Sequence, residues 1–185
     1  MALTESTMLE LGTTAPDFSL TDVVSGRTVS RNDFKGYKGL LVLFICPHCP
    51  YVKHIEKSLG ELSAHYAEAS LGIVAISSND VSTHPTDGPE GMKAQAEANG
   101  FQFPYLYDAT QEVAKAYTAA CTPDIYLFDE DLKLVYRGEY DSSRPGNGIP
   151  VSGEDLRFSI DLMLSNQKVP TDQRPSVGCN IKWKA

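Results

Sequence analysis

The stretch Leu40-Leu41-Val42-Leu43-Phe44-Ile45-Cys46-Pro47-His48-Cys49 decides the fold. Its six apolar residues read as a strand covered on both faces. Val52, Ile55, Leu59, Leu62 and Tyr66 then recur at three- and four-residue spacing, the period of an amphipathic helix. The two thiols therefore stand where a central strand meets a helix N-terminus. Unpaired N–H groups and the helix dipole favour a thiolate there, so a lowered pKa is expected for Cys46. A C-x-x-C in this setting points to redox chemistry.

Composition narrows the alternatives. The chain has 185 residues, enough for one domain with a sizeable core. A formal net charge of −8 argues against nucleic acid or an anionic membrane as partner. No apolar run approaches the length of a membrane span. Met1 to Gly12 does not read as a signal peptide. Four cysteines in a chain of this size do not form a disulfide framework, so a reducing cytoplasm is expected.

Working outward, Ala15 to Leu20 reads as a short strand. A turn over Asp22 to Gly26 returns the chain through Arg27-Thr28-Val29. Asn32 to Gly36 suits one helical turn. The active-site helix is expected to end near Ala69. Leu71 to Ile76 is a second buried strand, and Ser77 to Glu90 reads as a long surface loop. Gly91 to Ala98 and Gln111 to Tyr117 are helical, with Phe103 to Tyr107 extended between them. Ile125 to Phe128 and Leu132 to Tyr136 flank Asp129-Glu130-Asp131 as a hairpin. Ser152-Gly153-Glu154-Asp155 resembles an acidic capping box before a helix carrying Leu156, Ile160 and Met163. The expected fold class is α/β: a mixed central sheet with helices on both faces. A single domain is expected over 1–185, with an N-terminal hairpin extension (1–36), a core (37–164) and a C-terminal tail (165–185).

The chemistry follows from the thiols. Cys46, as thiolate, attacks a disulfide, and Cys49 resolves the mixed disulfide. Pro47 and His48 tune the potential, because a proton or positive charge from His48 stabilises the Cys46 thiolate. Zinc is disfavoured, since Cys121 and Cys179 are isolated and no second ligand pair exists. Thr122-Pro123 precedes a strand and suits a cis bond whose loop offers backbone groups to a substrate chain. Cys121 reads either as a third redox thiol or, preferably, as a small buried hydrophobe. Asp124 reads as an acceptor for the Cys49 proton or as a solvated strand-start residue, the latter preferred. Cys179, Ile181 and Trp183 alternate onto one face, which suits a docked strap. A C-terminal resolving role for Cys179 is the alternative, with a Cys121–Cys179 pairing to be checked. His54, Lys53 and Lys57 read as a solvated helix face, Tyr51 as a packing residue or groove wall, and His84 carries no assignment.

These residues resemble the thioredoxin superfamily, in particular a peroxiredoxin-like branch of the alkyl hydroperoxide reductase/thiol-specific antioxidant (AhpC/TSA) family. The resemblance rests on Ala15-Pro16-Asp17-Phe18, Cys46 to Lys53, Ser78-Asn79-Asp80, Ala120 to Asp124, Tyr136-Arg137-Gly138 and Gly178 to Trp183. It implies a thioredoxin-like three-layer sandwich and thiol redox activity. Neither Cys46 nor Cys49 has the Thr or Ser three residues before it, or the Pro seven before it, that peroxiredoxins carry. The stretch Ala116 to Phe128 contains no Arg to polarise a peroxide, so fast peroxide reduction is not expected. Thioredoxin's Trp is replaced by Ile45 and its buried Asp by Leu40.

The sequence therefore predicts a thiol–disulfide oxidoreductase. Thiol peroxidase and non-catalytic redox sensor are the alternatives. No organic cofactor or metal is required. Electrons are expected from a thioredoxin, glutaredoxin or glutathione system, and the substrate is a protein disulfide or a peroxide.

Overall fold

The computed structural model describes residues 3–185, so Met1 and Ala2, where the signal-peptide reading and the hairpin extension begin, lie outside the described residues. The elements run β1 (Leu3–Glu5), β2 (Ser19–Asp22), β3 (Thr28–Ser30), β4 (Gly39–Phe44), α1 (Pro50–His65), β5 (Leu71–Ser77), α2 (Pro89–Asn99) and β6 (Tyr105–Tyr107). They continue with α3 (Glu112–Ala116), β7 (Cys121–Thr122), β8 (Asp124–Asp129), β9 (Leu134–Tyr136), α4 (Glu154–Leu164) and β10 (Val177–Asn180). Among the described residues the main sheet has the order β3-β2-β6-β5-β4-β8-β9. It is mixed: β4 pairs in parallel with β5 and antiparallel with β8.

The apolar run of β4 follows from this central place. Leu41, Leu43 and Ile45 enter a core with Val52, Ile55, Leu59 and Leu62 of α1, Met92 of α2 and Leu156 and Ile160 of α4. Leu40, Val42 and Phe44 enter the opposite core with Phe18, Ala114, Tyr117 and Ile181. Helices thus cover both faces of the sheet, and the side chains of β4 alternate between two interiors. Where α1 meets α2, a Cβ on Gly60 would stand 1.9 Å from the Asn99 carbonyl oxygen, so only glycine permits that approach.

Several boundaries differ from the sequence reading. The first strand of the hairpin begins at Ser19 rather than Ala15, and pairing of β2 with β6 makes the hairpin part of the main sheet. Helix α1 ends at His65, four residues before Ala69. The capping box does not form: Gly153, in the left-handed region, is the N-cap of α4. Its amide and that of Ser152 instead donate to the Asp141 carboxylate at 2.6 and 2.7 Å.

The C-terminal tail contains a strand, Val177–Asn180. β10 joins β1 and β7 in a second, antiparallel sheet of order β1-β10-β7. Cys179 and Ile181 do not share a face with Trp183 as expected. Cys179 faces the α1 side, Ile181 the opposite core, and Trp183 is exposed near Lys115. The strand ends at Asn180, so strict alternation does not carry through to the tryptophan.

Asp124 is not the solvated residue that was expected. It is fully buried and ion-paired with the equally buried Arg137, accepts from Ser6 Oγ at 2.6 Å and from the Ala120 amide at 2.9 Å. Arg137 also lies 3.9 Å over the ring of Tyr126. Removing one member of a buried pair strands the other charge. Asp124→Ala is therefore expected to lose about 3–5 kcal/mol of stability, seen as a lower urea midpoint at unchanged slope.

Candidate active site

Cys46 lies just past the end of β4, and Cys49 is the N-cap of α1, with Pro50 occupying the first helical position where its missing N–H costs nothing. Both thiols are fully buried, whereas Pro47 and His48 between them are partly exposed. Thr122 reaches them from β7. Its Oγ1 is 3.4 Å from Cys46 Sγ, and its carbonyl oxygen is 3.1 Å from Cys49 Sγ, which donates to it when protonated. The Thr122–Pro123 bond is cis. The structure thus brings together Cys46, Cys49, His48, Thr122 and Pro123 as the spacing suggested.

It also brings in Cys179. Its Sγ is 2.8 Å from Cys49 Sγ, although the two residues are 130 apart in sequence. The Cys121–Cys179 pairing that was to be checked is not formed. In β7, Thr122 stands opposite Cys179 and Cys121 opposite Asn180, so Cys121 points to the other face. There its Sγ is 3.9 Å from Ser6 Oγ and 3.6 Å from the Pro123 carbonyl. Burial pushes the Cys121 thiol well above its ordinary range, which fits the small-hydrophobe reading.

The loop after β5 supplies what sequence reasoning missed. Although Ser77 to Glu90 reads as a surface loop, Ser77, Ser78, Asn79, Asp80 and Asp87 are buried. A short 3-10 turn over Pro85–Asp87 carries Asp87 beneath His48. The Asp87 carboxylate accepts from the His48 amide at 3.0 Å and from Asn79 Nδ2 at 2.9 Å, and lies 2.5 Å from His48 Nδ1. His84 packs on His48 with ring centroids 4.5 Å apart. The one signal for this was the Ser78-Asn79-Asp80 motif; nothing local marks Asp87.

This arrangement alters the role expected of His48. Its Nδ1 is 3.7 Å from Cys46 Sγ but 2.5 Å from the Asp87 carboxylate, so the ring is hydrogen-bonded to Asp87 and is not free to serve Cys46 alone. Cys46, His48 and Asp87 bring three possible ligand atoms within 4.8 Å of one another.

The thiol pKa values also depart from expectation. Cys46 is pushed up, first because it donates to Cys49, then by burial and by the negative charge of Asp87. Cys49 is drawn down to about 4, chiefly by the hydrogen bond from Cys46, with further help from Cys179 and Thr122 against burial. Cys179 is raised to about 12 by burial and then by Cys49. The physical reason is position. Cys49 is the middle sulfur, with an S–H group on either side, and it also begins the helix, while Cys46 lies three residues earlier beside an acid.

The reduced protein is accordingly expected to show one thiolate per chain by its absorbance near 240 nm at pH 6, fading as the pH falls toward about 4. Cys49→Ser should abolish the signal. Persistence in that variant with loss in Cys46→Ser would put the charge on Cys46 instead.

Residues 11–137 match the AhpC/TSA family. The chain is 26% identical over 132 residues to the thiol-disulfide oxidoreductase ResA of Bacillus thuringiensis subsp. konkukian, covering 71% of each protein. A crystal structure of an uncharacterized conserved protein from Geobacillus kaustophilus is similar over 100% of this chain and 97% of its own, with 53% identity and a TM-score of 0.97. The thioredoxin domain of a thiol-disulfide oxidoreductase from Bacteroides vulgatus matches with 26% identity and a TM-score of 0.59, over 71% of this chain and 91% of that one. The fold is thioredoxin-like, and the chain belongs to the AhpC/TSA family.

Proposed function

We propose that the protein is a thiol–disulfide oxidoreductase working through Cys46 and Cys49. The observation that carries this reading is the cluster itself: two thiols at a strand–helix junction, hydrogen-bonded to one another, with Thr122 against both. Cys46 is the attacking sulfur because it adjoins the partly exposed His48, whereas Cys49 is enclosed by Cys46, Cys179 and the Thr122 carbonyl. Cys46 and Cys49 share one proton through their hydrogen bond. When it lies on Cys49, facing the Thr122 carbonyl, Cys46 carries the negative charge and attacks one sulfur of a substrate disulfide, and the other substrate sulfur leaves as a thiol or thiolate. Cys49 then passes its proton to solvent and attacks Cys46, closing the Cys46–Cys49 disulfide and releasing the reduced substrate. The carbonyl of Thr122 orients Cys49 between these steps.

Because both sulfurs are fully buried, exchange requires a displacement of residues packed on them, among which the partly exposed His48 lies 3.7 Å from Cys46 Sγ. The reading sets the protein in the cytoplasm, with a thioredoxin, glutaredoxin or glutathione system returning the disulfide to thiols. Peroxide reduction has less support. The buried Arg137 is engaged by Asp124, Ser6 and Tyr126, which takes it out of use as a polarising group.

Rapid mixing of reduced protein with one equivalent of hydrogen peroxide is expected to oxidise it no faster than an ordinary thiolate, while a small disulfide substrate is reduced and Cys46→Ser abolishes that reduction. Peroxidase-like speed would overturn the reading. Asp87→Asn removes the negative charge that disfavours the Cys46 thiolate. It should raise the reduction potential by about 30 mV for each tenfold gain in stability of the reduced form, measured against glutathione redox buffers.

A further inference from the structure

The Thr122 edge that a substrate chain was expected to use is already occupied by the protein's own last strand. Thr122 stands opposite Cys179, and two residues along, the Ile181 amide donates to the Ala120 carbonyl at 3.1 Å. Antiparallel pairs alternate between hydrogen-bonded and non-bonded kinds, so Thr122 and Cys179 form a bonded pair and the Thr122 backbone faces β10. A Cβ on Gly178 would lie 1.9 Å from the Thr122 carbonyl oxygen; glycine lets the strand approach this closely and brings the next residue onto the dithiol. The position of β10 is fixed from its other side by β1, and beyond it the Lys182 amide donates to Asn79 Oδ1 at 2.8 Å. Asn79 is the same residue that donates to Asp87 under His48. Cys179 is thus held at 2.8 Å from Cys49 Sγ by backbone on two sides, and it is almost fully buried.

We propose that Cys179 is a third redox thiol that exchanges with the Cys46–Cys49 disulfide and carries it into a Cys49–Cys179 disulfide. This rests on the oxidoreductase reading, whose substrate disulfide supplies the initial oxidation. In the step, Cys179 gives its proton to solvent and its thiolate attacks Cys49 Sγ. The Cys49–Cys179 bond forms, the Cys46–Cys49 bond breaks, and the electron pair leaves on Cys46, which takes up a proton. The chain gains and loses no electrons. Burial, the largest cause of the raised Cys179 pKa, persists on oxidation, but once Cys49 is in a disulfide its negative charge and hydrogen bond no longer add to it, while Lys182 and the Tyr51 amide still favour the Cys179 thiolate. The exchange therefore follows oxidation and returns Cys46 as a thiol beside the partly exposed His48.

The test uses the full-length protein equilibrated in glutathione redox buffers, quenched in acid, alkylated and cut with trypsin. Cys46 and Cys49 share the peptide 39–53, and Cys179 lies in 169–182. A bridge joining the two peptides, assigned to Cys49 by fragmentation and within about tenfold of the internal Cys46–Cys49 bridge in abundance, is expected. Cys46→Ser should form Cys49–Cys179 as its one internal disulfide, and Cys179→Ser only Cys46–Cys49. Near-UV circular dichroism shows that each variant is folded, and the wild-type map stands without them. Oxidised wild type holding only the internal bridge, or Cys46→Ser giving a glutathione adduct on Cys49 in place of the bridge, overturns the proposal. If Cys49–Cys179 forms and Cys46–Cys49 never does, the exchange step is overturned together with the Cys46–Cys49 reading. If Cys46–Cys49 turns over substrate without the second bridge, only the third thiol is lost.

Discussion

Strand β4 has no face that can meet water. Every one of its residues is buried, and its side chains divide between two separate cores. A strand so placed requires covering layers on both sides, and these come from α1, α2 and α4 on one side and α3 with the N-terminal segment on the other. The same constraint sets the character of the site. The chain leaves the sheet at Ile45 still fully buried, so the first thiol emerges into an interior rather than onto a surface. In an interior, charge must be met by neighbours, and here they are other sulfurs, a hydroxyl, and a histidine that an aspartate holds.

Sharing of charge among sulfurs explains why the site departs from the simplest picture of a helix-activated thiol. The helix begins at Cys49, and the S–H groups of Cys46 and Cys179 converge there as well. Asp87 adds a negative charge on the Cys46 side, opposing the effect of the Pro47-His48 dipeptide. The site is thus organised around its middle sulfur, with the attacking sulfur dependent on it for loss of a proton.

How much of this was legible in the sequence depended on the distance over which the information acts. β4, α1 and their junction were readable because burial imposes a period on neighbouring residues. The Thr122–Pro123 segment was readable because it opens a strand at a recognisable spacing. Asp87 was not: it sits among Thr, Pro and Gly, the composition of an exposed turn, and its burial depends on Asn79 and on His48, 39 positions away. Asp124 was misread for the same reason, since Arg137 comes from the far side of a hairpin and Ser6 from near the N-terminus. Cys179 could be placed on a strand, but which sulfur it met was set by the register of β10 against β7. That register is fixed by Gly178, whose closeness to Thr122 no local pattern announces.

The separation of 130 residues between Cys49 and Cys179 gives the site a history during synthesis. At about 5–20 residues per second, the dithiol turn leaves the ribosome on the order of ten seconds before the strand that closes over it. In that interval the Thr122 edge, once made, has no β10 to pair with, and Cys49 has one sulfur neighbour rather than two. The nascent chain therefore presents an open two-thiol site to the redox buffer around it, and the enclosed three-sulfur cluster exists only after the last strand has been made.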